Sequence, residues 1–125
     1  MLNGVYSALS ALDGFSKQTA VVSNNVANSN TDDYKKSRAV LEEGLNGGVE
    51  VSIQKIDTPG TPVSYEDNNT VLAEEASSAQ TKETSNVDLA EETVQLITAQ
   101  RGHEANLTTI KVQNEMLGSV IDILG

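Results

Sequence analysis

No cysteine occurs in the 125 residues, so disulfides and thiol chemistry are excluded and the redox compartment stays open. Aromatic residues are scarce: three Tyr, one Phe and no Trp. Apolar residues make up 38% of the chain, below the roughly 45–50% share of a globular domain on a similar count. A core drawn from Leu, Val, Ile and Ala suits helices packed on one another, or on copies in other chains, better than a self-contained globule. Positive charge is also short, with 8 Lys and Arg against 18 Asp and Glu and a formal charge of −10. Binding nucleic acid requires a dense basic patch, so nucleic acid is excluded as a ligand class. No run of about 18 apolar residues is present, which excludes insertion through a bilayer as a helix. Residues 1–30 lack the basic start and continuous apolar stretch of a cleavable secretory signal, so export would need another route. The length is that of one domain.

From Leu2, residues Val5, Leu9, Leu12, Phe15, Thr19, Val22 and Val26 recur every three or four positions, the spacing of one stripe along a helix. The spacing predicts a helix over residues 3–29, roughly 40 Å long. It should stop near Asn28 to Asn30, where Ser23, Asn24, Asn25, Asn28, Ser29 and Asn30 compete for backbone hydrogen bonds. A second, longer helix is predicted from Ser85 or Asn86 as cap to about Ile123, with Asp88, Glu91 and Glu92 at the positive end of its dipole. Leu89, Leu96, Ala99, Ile110, Leu117, Val120 and Leu124 fit one seven-residue register; Val94, Ile97, Ala105, Val112 and Ile121 widen the apolar face.

Between the helices, Tyr34 to Val40 and Val49 to Gln54 alternate in the period-two manner of strands. The turn chemistry of Gly44-Leu45-Asn46-Gly47-Gly48 joins them as a small antiparallel hairpin, which two strands alone cannot stabilise. Thr58-Pro59-Gly60-Thr61-Pro62 breaks the second strand, and the polar residues 61–84 read as a loop with room for a short helix around Val71 to Ala79. The chain thus divides into residues 1–30, 31–84 and 85–125 of a single domain.

No catalytic, cofactor or metal motif emerges. His103 has no second His and no Cys with which to hold zinc. No serine sits in a G-x-S-x-G elbow, and Asp67-Asn68-Asn69 lacks the offsets of a calcium loop. The acidic pairs Glu42-Glu43, Glu74-Glu75 and Glu91-Glu92 read as solvated faces.

Two blocks carry a resemblance. Ser7-Ala8-Leu9, Ser23-Asn24-Asn25-Val26-Ala27-Asn28-Ser29-Asn30-Thr31 and Tyr34-Lys35 stand at one end. At the other are Ser85-Asn86-Val87-Asp88-Leu89-Ala90-Glu91-Glu92, then Val94, Leu96-Ile97, Ala99-Gln100-Arg101, Glu104-Ala105-Asn106 and Met116-Leu117. With these in this order the chain resembles the bacterial flagellar axial family of rod, hook and hook-associated proteins, most of all the small proximal rod type. It departs at Thr31-Asp32-Asp33-Tyr34, where that family commonly has Thr-Pro-Gly-Tyr, and at His103, where an aromatic is common.

The resemblance implies a mainly α fold: two long terminal helices forming an antiparallel coiled-coil hairpin, with the small β-hairpin and polar loop between them. It further implies a rod subunit in the flagellar basal body that polymerises into a hollow helical tube with itself and other axial subunits. Export would run through the flagellar type III apparatus, and the termini would order on assembly. The assembly interface then comprises Val5, Leu9, Leu12, Val26, Leu89, Leu96, Ile97, Ala105, Asn106, Ile110, Leu117, Val120 and Leu124, with Asn24, Asn25 and Asn28 as hydrogen-bonders at the helix end. The competing reading from the stripes alone is a soluble helical-hairpin adaptor that binds a partner's helix.

Overall fold

The computed structural model describes residues 2–45, 47–64 and 81–124. Helix α1 spans Leu2–Ala27, strands β1 and β2 Ser37–Glu43 and Val49–Lys55, strands β3 and β4 Pro62–Ser64 and Thr81–Glu83, and helix α2 Leu89–Leu124. The fold is mainly α, with two terminal helices and a small β-hairpin between them.

At the end of α1 the Asn28 side-chain amide donates at 2.9 Å to the Asn24 carbonyl, which also accepts the Asn28 backbone N–H at 3.1 Å. A tight turn follows, with the Tyr34 N–H donating to the Thr31 carbonyl at 3.3 Å. Asp33 adopts a φ of +59° there, in the left-handed region that Asp tolerates better than most residues. Its backbone N–H donates to the Glu83 carbonyl at 2.8 Å and its Oδ1 accepts from the Glu83 N–H at 3.0 Å. The turn expected of Gly therefore forms with Asp, whose carboxylate adds a bond glycine lacks.

β1 and β2 pair antiparallel from Ser37↔Lys55 to Glu43↔Val49. Gly47, with φ +74°, and a 2.8 Å bond from the Gly44 N–H to the Gly48 carbonyl close the turn. The hairpin leans on α1 where Gly14 leaves room: a Cβ there would meet Leu41, Val51 and Val49 at 3.2, 3.4 and 3.5 Å. Two α1 serines fasten the turn, Ser7 Oγ donating to the Gly47 carbonyl at 2.5 Å and Ser10 Oγ accepting the Val49 N–H at 2.9 Å.

Two expectations are corrected. The cap of α2 is Asp88, not Ser85 or Asn86: its Oδ1 accepts the Ala90 N–H at 2.9 Å. Asn86 is instead occupied with the strand ends, which keeps it outside the helix. Residues 62–64 and 81–83 are not loop but pair as β3 and β4, which places part of the polar stretch in a second small sheet. The short helix considered around Val71 to Ala79 lies outside the described residues.

The helices run antiparallel in one register, Gly4 beside Gln113, Phe15 against Gly102 and Asn25 bonded to Glu92, while the long Gln18 side chain reaches one turn along to Gln95. On α1 this row is Gly4, Ala8, Ala11, Phe15, Gln18, Val22 and Asn25. On α2 the buried or half-buried positions Glu92, Leu96, Ala99, His103, Asn106, Ile110, Gln113 and Leu117 alternate by four and three. That is the seven-residue register read from the sequence. Apart from Phe15 and Val22, the α1 row against α2 is built of small and polar residues, which let the backbones approach closely, while Val5, Leu9 and Leu12 lie to one side of it.

Candidate assembly surfaces

Asn25 and Glu92 are both wholly buried, and they form the centre of a polar clasp. Asn25 Nδ2 donates to the Ser37 carbonyl at 2.8 Å and to Glu92 Oε2 at 3.0 Å, while its Oδ1 accepts from the Ser37 N–H at 3.0 Å and the Tyr34 hydroxyl at 3.1 Å. Every polar capacity of that amide is thereby filled within the chain. Arg38 Nη1 donates to Glu92 Oε1 at 2.5 Å. Its Nη2 lies 2.7 Å from Glu91 Oε1, an ion-pair contact without the direction of a hydrogen bond. Lys36 Nζ reaches Glu91 Oε2 at 2.6 Å. The hydrogen bond from Lys36, and then the adjacent Arg38 guanidinium, hold the Glu91 carboxyl down at about 2. Burial, and then the Glu92 charge, push the Tyr34 phenol up.

Asn86 extends the clasp to the strand ends. Its Oδ1 accepts the Lys36 N–H at 2.7 Å, and its Nδ2 donates to the carbonyls of Ile56 at 2.8 Å and Thr58 at 3.0 Å. Beside it, Lys35 Nζ pairs with Glu83 Oε2 at 2.5 Å and holds that carboxyl below its ordinary range. Of the Glu91-Glu92 pair, Glu92 is thus no solvated face, while Glu91 stays exposed but ion-paired. The signal for this was Lys36 and Arg38 two positions apart around the start of a strand, which aims two cations the same way. Glu42 and Glu43 are exposed as expected, and Glu74 and Glu75 lie outside the described residues.

The apolar surface is distributed the opposite way. Among the described residues the buried apolar side chains are Ala8, Val22 and Ala99, whereas Leu9 at 60%, Ile97 at 51%, Val112 at 45%, Met116 at 49% and Ile121 at 68% stay exposed. Of the anticipated interface, Leu9, Val26, Leu89, Ile97, Ala105, Val120 and Leu124 are exposed, and Val5, Leu12, Leu96, Asn106, Ile110 and Leu117 are half-buried. Asn24 is exposed and Asn28 half-buried, joined to each other at 2.8 Å; Asn25 is spent inside the chain.

An open groove of about 490 Å³ along the helix pair is lined by Ser16, Thr19, Gln100, His103 and Glu104. The Ser16 and Thr19 hydroxyls each donate at 2.9 Å to the carbonyl four residues back, not to His103. Among the described residues no cluster of three His, Cys, Asp or Glu side chains could hold a metal ion.

Residues 5–35 match the family model described as flagella basal body rod protein, and residues 78–123 match flagellar basal body rod FlgEFG protein C-terminal. The chain belongs to the flagellar rod and axial protein family. Its place is accordingly the flagellar basal body, in a family of structural proteins. No curated protein matches the chain. In this rod-family protein the two matched segments meet in the clasp, Asn25 and Tyr34 from the first and Asn86, Glu91 and Glu92 from the second. Among the described residues no helix is long and apolar enough to cross a membrane.

Proposed function

We propose that this chain is a non-catalytic structural subunit of the basal-body rod, most like the small proximal type, that assembles with itself and other rod subunits into a hollow helical tube. It acts as one domain, residues 1–125. The terminal helices carry the contacts through Val5, Leu9, Leu12 and Val26 on α1 and Leu89, Ile97, Ala105, Val120 and Leu124 on α2. Export proceeds through the flagellar type III apparatus without a cleaved signal.

The observation that supports this most is the inverted apolar distribution: among the described residues the buried apolar set is two alanines and a valine, while fifteen large apolar side chains are exposed. Each exposed Leu or Ile forgoes about 1.5–3 kcal/mol of burial, which packing against other subunits recovers. Heterologous contacts of that kind produce open helical assemblies.

The test is sedimentation of the full chain, alone and mixed with rod proteins from the same source. Large heteromeric species are expected. A monomer or closed dimer that ignores those partners would overturn the proposal and favour the helical-hairpin adaptor.

A further inference from the structure

Helix α2 outlasts α1. Gly4 lies beside Gln113, so the described α1 ends near Leu117, and residues 118–124 continue with no other described helix against them. The row that faces α1 does not end there. It continues through Leu117, Val120 and Leu124, and exposure along it climbs from half-buried Leu117 to 42% at Val120 and 83% at Leu124. A helix lying as α1 lies would cover it.

The protein shows an α1 row of matching spacing to the side of the intrachain seam, exposed Leu9 between half-buried Val5 and Leu12. Read antiparallel, as the intrachain helices are, Leu12, Leu9 and Val5 step by three and four, the same order as Leu117, Val120 and Leu124. Charge selects the same two segments. Copies carrying −10 each repel one another, so self-association must use surface free of charge. Residues 2–12 hold no charged side chain, and residues 116–124 hold only Asp122. Gly118 adds to this: a Cβ there meets nothing within 4 Å, so nothing in its own chain requires a glycine in mid-helix.

We propose that the Leu117, Val120 and Leu124 row of one copy packs antiparallel on the Val5, Leu9 and Leu12 row of a second copy. This rests on the rod reading and names its self-contact. The pairing shifts the helix register by about 12 residues from the intrachain one, so neighbouring parallel copies are staggered by roughly 18 Å at 1.5 Å per residue. Because the two rows are different surfaces, each copy offers one of each and the contact does not close.

The absence of native cysteine gives a clean test in the full-length chain. The double variant Leu9→Cys, Val120→Cys is oxidised under the conditions in which it sediments as large species, with each single variant beside it. The same stagger of roughly 18 Å separates the two sites within one chain, beyond the reach of a disulfide. A reducible ladder running past dimer is expected from the double variant, none from the singles, and about tenfold weaker assembly from Leu9→Asp. A ladder that stops at dimer overturns the open stagger. Large species without cross-links overturn this contact while leaving the rod assignment standing, and failure to assemble even with rod partners removes the assignment itself.

Discussion

Replacing Arg38 with Met tests whether the clasp holds the two ends of the chain together. The Glu92 side chain is wholly buried and the Arg38 side chain is 16% exposed, so the variant leaves a buried carboxylate with one remaining donor, Asn25 Nδ2 at 3.0 Å. Removing one partner of a buried pair costs about 3–5 kcal/mol, and the surviving Asn25 bond puts the expected loss near the lower end, about 3 kcal/mol. With a urea slope of about 1–3 kcal/mol per molar, the midpoint followed by circular dichroism at 222 nm should fall by roughly 1–3 M. The double variant Arg38→Met, Glu92→Leu removes the charge as well as its partner. It should recover most of the loss, because the penalty is the stranded carboxylate rather than the missing attraction. Arg38→Lys should fall between, since an ammonium cannot reach Glu91 and Glu92 with separate nitrogens. If Arg38→Met alone is too unstable to give a transition, the double variant still reads the coupling. A loss below about 1 kcal/mol in the single variant, or a double variant as weak as the sum of its parts, would refute the reasoning.

The remaining predictions concern pH, glycine and the tight turn. Because the Glu91 carboxyl is held at about 2 against an ordinary 4.5, its contribution is fully present above pH 4.5 and is lost as pH falls toward 2. Its side chain is 47% exposed, so screening leaves about 1 kcal/mol, and Glu91→Gln should flatten the fall of the urea midpoint between pH 5 and pH 2.5. Gly102→Ala should destabilise by about 1 kcal/mol despite a better helix residue, because a Cβ there overlaps three carbons of the Phe15 ring; Gly118→Ala, with open space around it, should stabilise monomeric chain by about 0.5–1 kcal/mol, both read as thermal midpoints. Asp33→Gly should leave the urea midpoint nearly unchanged, the relieved φ of +59° offsetting the lost bond to the Glu83 N–H, whereas Asp33→Ala loses the bond, keeps the strain and should cost about 1–2 kcal/mol.

What the sequence disclosed was periodicity. Both helices, the β-hairpin and the α2 register could be read because apolar spacing fixes which residues share a face before any partner is known. The partner of a face is another matter: nothing in the spacing of Val5, Leu9 and Leu12 distinguishes an internal seam from an external one. Glu92 was illegible for a related reason. A buried glutamate looks like an exposed one until the distant Arg38 and Asn25 are brought to it, and those contacts span 54 and 67 residues. The pairing of 62–64 with 81–83 escaped because three-residue strands are too short to show alternation.

The α1 seam and the buried Glu92 share a physical explanation. A seam made of Gly4, Ala8, Ala11 and Ala99 buries little apolar area, and rows of small residues tolerate a slip along the helix axis at modest cost. The register must then be set by groups that cannot tolerate it. Asn25 against Glu92 and Gln18 against Gln95 are such groups, as one polar pair at a core position specifies register in paired helices. A slip of seven residues would strand the Glu92 carboxylate and move the end of α2 by roughly 10 Å. That displacement is more than half of the proposed stagger between copies, so an error at the clasp would carry the Leu117, Val120 and Leu124 row past the Val5, Leu9 and Leu12 row it is to meet. The buried charge at one end of the helix pair thus fixes the position of the apolar surface at the other, and chains with Arg38→Met should lose assembly even at concentrations where their helices remain formed.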